Sequence, residues 1–140
     1  MRVLLDATPL LGTRTGVGRY TGHVLSELAR LTHPDPDPDA ALELLATAYT
    51  WRGREDLAAA LPAGVTPVGR RAPARLLQEA WARSEFPRAQ WLTGGRAGSL
   101  DVLHAPNFVM PPSGRAAGVV TGHDLGYLRV PETVSSASAP

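Results

Sequence analysis

Polar side chains with chemistry to offer fall where short apolar runs end. Asp6 follows Val3-Leu4-Leu5, His104 and Asn107 close and follow DVLH, and His123-Asp124 follow the AGVVTG stretch. A histidine titrates near about pH 6.5, so it can hydrogen-bond a ligand hydroxyl or carry a proton at neutral pH. Asp124 is placed to orient the ring of His123 or to cap the turn after it, and Gly122 leaves room for a ligand beside the backbone. The plainer alternative for each histidine is a structural ring that satisfies a loop carbonyl or sits at a strand end. Asn107 has one too, a turn held by its side chain.

The opening, MRVLLDATPLLGTRTGVGR, reads as a strand, an acid at its end, a long loop with Gly12, Gly16 and Gly18, and a helix over residues 20–31. A helix entry offers unpaired N–H groups and a partial positive charge; with Arg19 nearby, this suits a phosphate. The plainer alternative is a turn and a helix start. A dinucleotide fingerprint needs G-x-G-x-x-G directly after the first strand, with an acid about 20 residues on. Here the loop is too long, Gly22 comes one place late, and no acid closes the second strand.

These residues can work together only if the elements gather them. Val24, Leu25, Leu28 and Leu31 share one face of the first helix. Residues 42–49 (LELLATAY) read as a second strand, although the composition also suits a helix. A short helix is predicted over residues 54–61, then an edge strand over 65–68, where Pro67 interrupts the ladder. Residues 74–92 read as a helix kinked or divided at Pro87, with Leu76, Leu77, Ala80, Trp81 and Trp91 as its buried candidates. Strands follow at 101–104 and 117–121. Residues 34–39 alternate Pro and Asp and read as a solvated connection, and the tail from Glu132 is small and polar.

Strands alternating with helices predict an α/β fold, a Rossmann-like open parallel sheet with flanking helices. Ligands of such sheets lie outside the carboxyl ends of the strands. Asp6, His104, Asn107, His123 and Asp124 would all stand there.

Composition removes several chemistries. The length of 140 residues suits one domain. A net charge of +1 gives no electrostatic ground for nucleic acid or an anionic membrane as partner. There is no cysteine, which excludes disulfides and thiolate chemistry. All 14 basic residues are arginine, which excludes a Schiff-base lysine and a P-loop lysine. No run reaches the roughly 18 apolar residues of a membrane span, and the N-terminus enters a strand directly, so a cytoplasmic location is expected. His104, His123 and Asp124 do not have the spacing of a metal site, and none is expected. No G-x-S-x-G marks a serine nucleophile, and Asp6 and Asp124 carry no glycosidase signature.

Three stretches, MRVLLDATPLLGTRTGVGRYT, DVLHAPNFVMPP and VVTGHDLGYLRVPE, resemble in order the N-terminal domain of a family 4 glycosyltransferase of the GT-B fold. Residues 42–97 carry none of the likeness. The resemblance implies one half of a GT-B architecture, the acceptor-side domain of a retaining enzyme that uses a nucleotide-sugar donor and no metal or other cofactor. It implies catalytic roles for His123 beside the donor sugar and for Asp124 in support. It implies a donor-phosphate loop at Gly16, Gly18 and Arg19, and an acceptor-side cleft at Asp6, His104 and Asn107. The family's second domain, with its paired-glutamate motif, has no counterpart here. Residues 1–140 are therefore expected to be a single domain truncated at its C-terminal end, with little transfer activity alone. Two alternatives stand beside this: a non-catalytic module of the same fold that docks with a separate C-terminal half, and a small nucleotide-binding domain.

Overall fold

The computed structural model describes residues 1–13, 15–32, 41–51, 54–95 and 98–123. Its centre is the apolar run that opens the chain. Strand β1 (Arg2–Asp6) pairs in parallel with β2 (Glu43–Thr47) on one side and β4 (Val102–Ala105) on the other. Leu4 and Leu5 are fully buried on opposite faces. Val3 and Leu5 join Leu44 and Ala46 against Leu25 of helix α1 (Gly16–Leu31) and Leu57 of α2 (Leu57–Ala60). Leu4, Leu45 and Leu103 face the other way, onto Val68, Ala89 and Leu100. A strand covered on both faces needs unbroken apolar sequence rather than alternation, which is what VLL and LLA supply.

Strand β3 (Val65–Pro67) pairs with β2, and β5 (Ala117–Val120) pairs with β4, again in parallel. The order is β3-β2-β1-β4-β5. Pro67, which has no N–H to donate, lies on an edge as expected. The fold is an α/β, Rossmann-like open parallel sheet with flanking helices.

The start of the first helix and the buried face of residues 74–92 differ from the sequence expectation, whereas the division expected at Pro87 is present. Helix α1 begins at Gly16 rather than Tyr20, because Thr15 is its N-cap and accepts the Gly18 N–H at 3.5 Å. Gly16, Gly18 and Arg19 thus belong to the start of the helix and not to a loop; two glycines, poor helix formers, had masked it. Residues 74–92 form two helices, α3 (Ala74–Arg83) and α4 (Ala89–Leu92). Pro87 is buried between them, and its carbonyl accepts the Trp81 indole N–H at 2.9 Å. The break changes the helical phase. Leu77 is buried, Ala80 and Trp81 are partly so, but Leu76 and Trp91 are 64% and 54% exposed. Among the described residues no helix is long and apolar enough to cross a membrane. Residues 34–39, Asp124 and the tail from Glu132 lie outside the described residues.

Candidate functional site

From β1 the chain builds outward through β2 to β3, then crosses back to lay β4 on the opposite side of β1. Connections therefore diverge at the carboxyl ends of β1 and β4, which opens a crevice there. A cavity of about 290 Å³ occupies it, lined in part by Asp6, Thr8, Tyr49, Gln78, Trp81 and Asn107.

Asp6, the last residue of β1, forms the polar floor. The chain leaves β1 through a 3-10 turn, Thr8–Leu10. Asp6 Oδ1 accepts the Thr8 backbone N–H at 2.9 Å and the Thr8 hydroxyl at 2.5 Å. Thr8 Oγ1 in turn accepts the Tyr49 backbone N–H at 2.8 Å, which ties the end of β1 to the segment after β2. Both bonds to Asp6 use Oδ1, and Asp6 as a whole is only 9% exposed. Burial lifts the Asp6 carboxyl from its ordinary value to about 6, and the two bonds from Thr8 partly offset that rise.

Tyr49 is the second buried polar group. Its hydroxyl has no hydrogen-bond partner among the described residues, and its ring meets Trp81 edge-on at 5.3 Å. Burial first, and the Asp6 charge second, push the phenol well above its usual value, so it stays a neutral donor.

A second cluster lies along the ends of β4 and β5. His104 Nε2 lies 3.1 Å from Thr121 Oγ1, and Tyr20 of α1 brings its hydroxyl to 3.3 Å from the same oxygen. Burial lowers the His104 pKa from its ordinary value. His123 Nε2 donates to the Pro106 carbonyl at 2.6 Å, and because a carbonyl only accepts, that nitrogen carries the proton. Nδ1 has no hydrogen-bond partner among the described residues. The rings of Tyr20 and Phe108 meet the His123 ring edge-on at 5.1 and 5.9 Å. Phe108 is held at φ +42°, a conformation that strains a bulky side chain, inside a turn closed by Val109 N–H on the Asn107 carbonyl.

The expected residues thus divide. Asp6 and Asn107 share the cavity, whereas His104 and His123 belong to the adjacent cluster. Both histidines have the plainer partners that the sequence allowed, and among the described residues His123 uses only Nε2. Thr15 and Val17 bring the start of α1 to the cavity wall, while Gly16, Gly18 and Arg19 do not line it. Asp124 lies outside the described residues. Sequence reasoning missed Thr8, Tyr49, Trp81, Tyr20 and Phe108. An Asp-x-Thr pattern at a strand end was a usable signal for Thr8, since such side chains bond their near backbone.

A wider hollow of about 750 Å³ opens near the amino ends of β4 and β5, beside Phe86, Trp91, Leu100 and Arg115. It contains no residue from a strand's carboxyl end. No protein-family model matches the chain, and neither a curated protein nor a solved structure matches it.

Proposed function

We propose that this chain forms the acceptor side of a retaining glycosyltransferase, one half of a GT-B cleft, that takes a sugar from a nucleotide-sugar donor. The observation that carries this is the one-sided crevice at the β1/β4 switch point, with Asp6 and Asn107 inside it and His123 beside it. Described residues of each of the three stretches that resemble the family reach this edge, among them Asp6, Asn107 and His123. In the proposed arrangement the acceptor enters the cavity. His123, fixed through Nε2–H, offers Nδ1 to a hydroxyl of the donor sugar. A donor-binding domain closes the other side of the cleft, because transfer requires orientation and charge stabilisation from both walls.

The test begins with the intact mass of the protein from its native cell, followed by a transfer assay on that form with a panel of nucleotide-sugars. Transfer should be detected, and His123→Ala should lower kcat by about a hundredfold, the loss typical of a group that stabilises the reacting sugar. The 140-residue chain alone should transfer nothing. Tight binding of a free nucleotide to the chain, without transfer by the native form, would replace this reading with that of a nucleotide-binding domain.

A further inference from the structure

The cavity at the switch point holds one buried polar atom without a partner among the described residues, the Tyr49 hydroxyl, beside the buried Asp6 carboxylate. Both hydrogen bonds that Asp6 accepts from Thr8 use Oδ1, which leaves Oδ2 available to a ligand. Buried polar groups are almost always paired, so the unpaired Tyr49 hydroxyl needs an explanation, and its place in a cavity beside an acid points to a missing ligand. The remaining wall narrows what that ligand is. Among the described residues lining the cavity, Asp6 is the only charged one, which disfavours any anionic group. Thr13, Thr15, Gln78 and Asn107 add neutral hydrogen-bonding groups, which suit several hydroxyls better than one cation. Trp81, locked by its bond to the Pro87 carbonyl, gives a rigid apolar wall for the C–H face of a ring.

We infer that the cavity binds an uncharged polyhydroxylated ring, one of whose hydroxyls donates to Asp6 Oδ2 and accepts from Tyr49. This rests on the acceptor-side reading and narrows it: the part of the acceptor that enters here is a neutral sugar or cyclitol, and a phosphate or carboxylate on the acceptor lies outside the cavity.

The test is a titration of the full chain by calorimetry and amide chemical shifts. Its probes are methyl glucoside, glucosamine and glucose 6-phosphate. Methyl glucoside should bind weakly but saturably and shift the amides of Asp6, Tyr49 and Asn107. Asp6→Asn should weaken it about tenfold and Tyr49→Phe about fivefold, as expected for one charged and one neutral hydrogen bond. Phe86→Ser, on the opposite edge, should leave binding unchanged. Glucose 6-phosphate should bind more weakly than the glucoside.

Equal binding by wild type, Asp6→Asn and Tyr49→Phe overturns the inference. So does tenfold tighter binding of glucosamine, which would make the cavity a cation site, or tighter binding of the phosphate. The two proposals fail separately. Transfer by the native form with an acceptor KM that Asp6→Asn does not change would remove this inference and leave the transferase reading. Saturable glucoside binding without transfer would do the reverse.

Discussion

The two ends of the crevice are built on opposite terms. At the β1/β2 end, Asp6 and Tyr49 are buried; the Tyr49 hydroxyl has no partner among the described residues, and Asp6 accepts from Thr8 through Oδ1 alone. At the β4/β5 end, His104, Thr121, Tyr20 and His123 are less buried, yet each has a hydrogen bond to another member or to backbone. Unpaired buried polar groups cost stability, so folding alone gives no reason to keep them. The paired cluster has a different character: it fixes the direction of one ring. The first end is a socket, and the second is a mount.

The largest effect should come from the Asp6 charge. Its folded pKa, about 6, is above the ordinary aspartate value, so between about pH 4 and 6 the folded state binds more protons than the unfolded state. Stability therefore falls as pH rises through that window, and the penalty is complete above the folded pKa. A shift of this size corresponds to about 3 kcal/mol. Asp6→Asn should remove the slope and make the protein more stable at pH 7 by up to that amount, read by urea denaturation at several pH values. An identical slope in the variant would contradict the buried-charge account. His104 acts in the opposite sense: its lowered pKa makes stability fall as pH drops through the ordinary histidine range.

Thr8→Val tests the scaffold beneath the socket. It removes the acceptor of the Tyr49 N–H and one of the two donors to Asp6 Oδ1, and it should cost about 1–3 kcal/mol. A second readout separates this from a general packing loss. The Asp6 pKa, followed by NMR, should climb further, because the hydroxyl bond holds it down. Tyr49→Phe should act the other way and stabilise the ligand-free protein by about 1 kcal/mol, since it deletes an unsatisfied hydroxyl without opening a cavity. Loss of stability in that variant would mean that the hydroxyl has a partner after all.

Much of the sheet was legible in the sequence because apolar runs bounded by Gly, Pro and Asp mark buried parallel strands without help from distant residues. VLL, LELLA and DVLH did so, and Pro67 marked an edge. Helix phase was less legible. Leu76 and Leu77 are adjacent, about 100° apart on a helix, and only packing decides that Leu77 faces inward. Trp91 was assigned to the core by a period that runs through Pro87, where the chain in fact starts a new helix. The socket was half legible: Asp6 stood out as a lone acid at a strand end. Tyr49 looked like ordinary strand composition, because its lack of a partner follows from how β1 and β2 end together, 41 residues apart in sequence.

The smallest effect is expected at the mount, and it sharpens the contrast most. Thr121→Val removes the oxygen shared by His104 and Tyr20, two side chains that reach solvent. Water can replace the lost bonds, so the cost should stay under about 1 kcal/mol, well below that of Thr8→Val. The backbone bond from Thr121 N–H to the Ala105 carbonyl is untouched, so β5 should keep its register. His123 should also keep its proton on Nε2, because the Pro106 carbonyl still accepts from it, and ring nitrogen shifts in an NMR spectrum would report that. If Thr121→Val instead destabilises as strongly as Thr8→Val, the cluster is a buried network in its own right. The two ends of the crevice would then be built on the same terms.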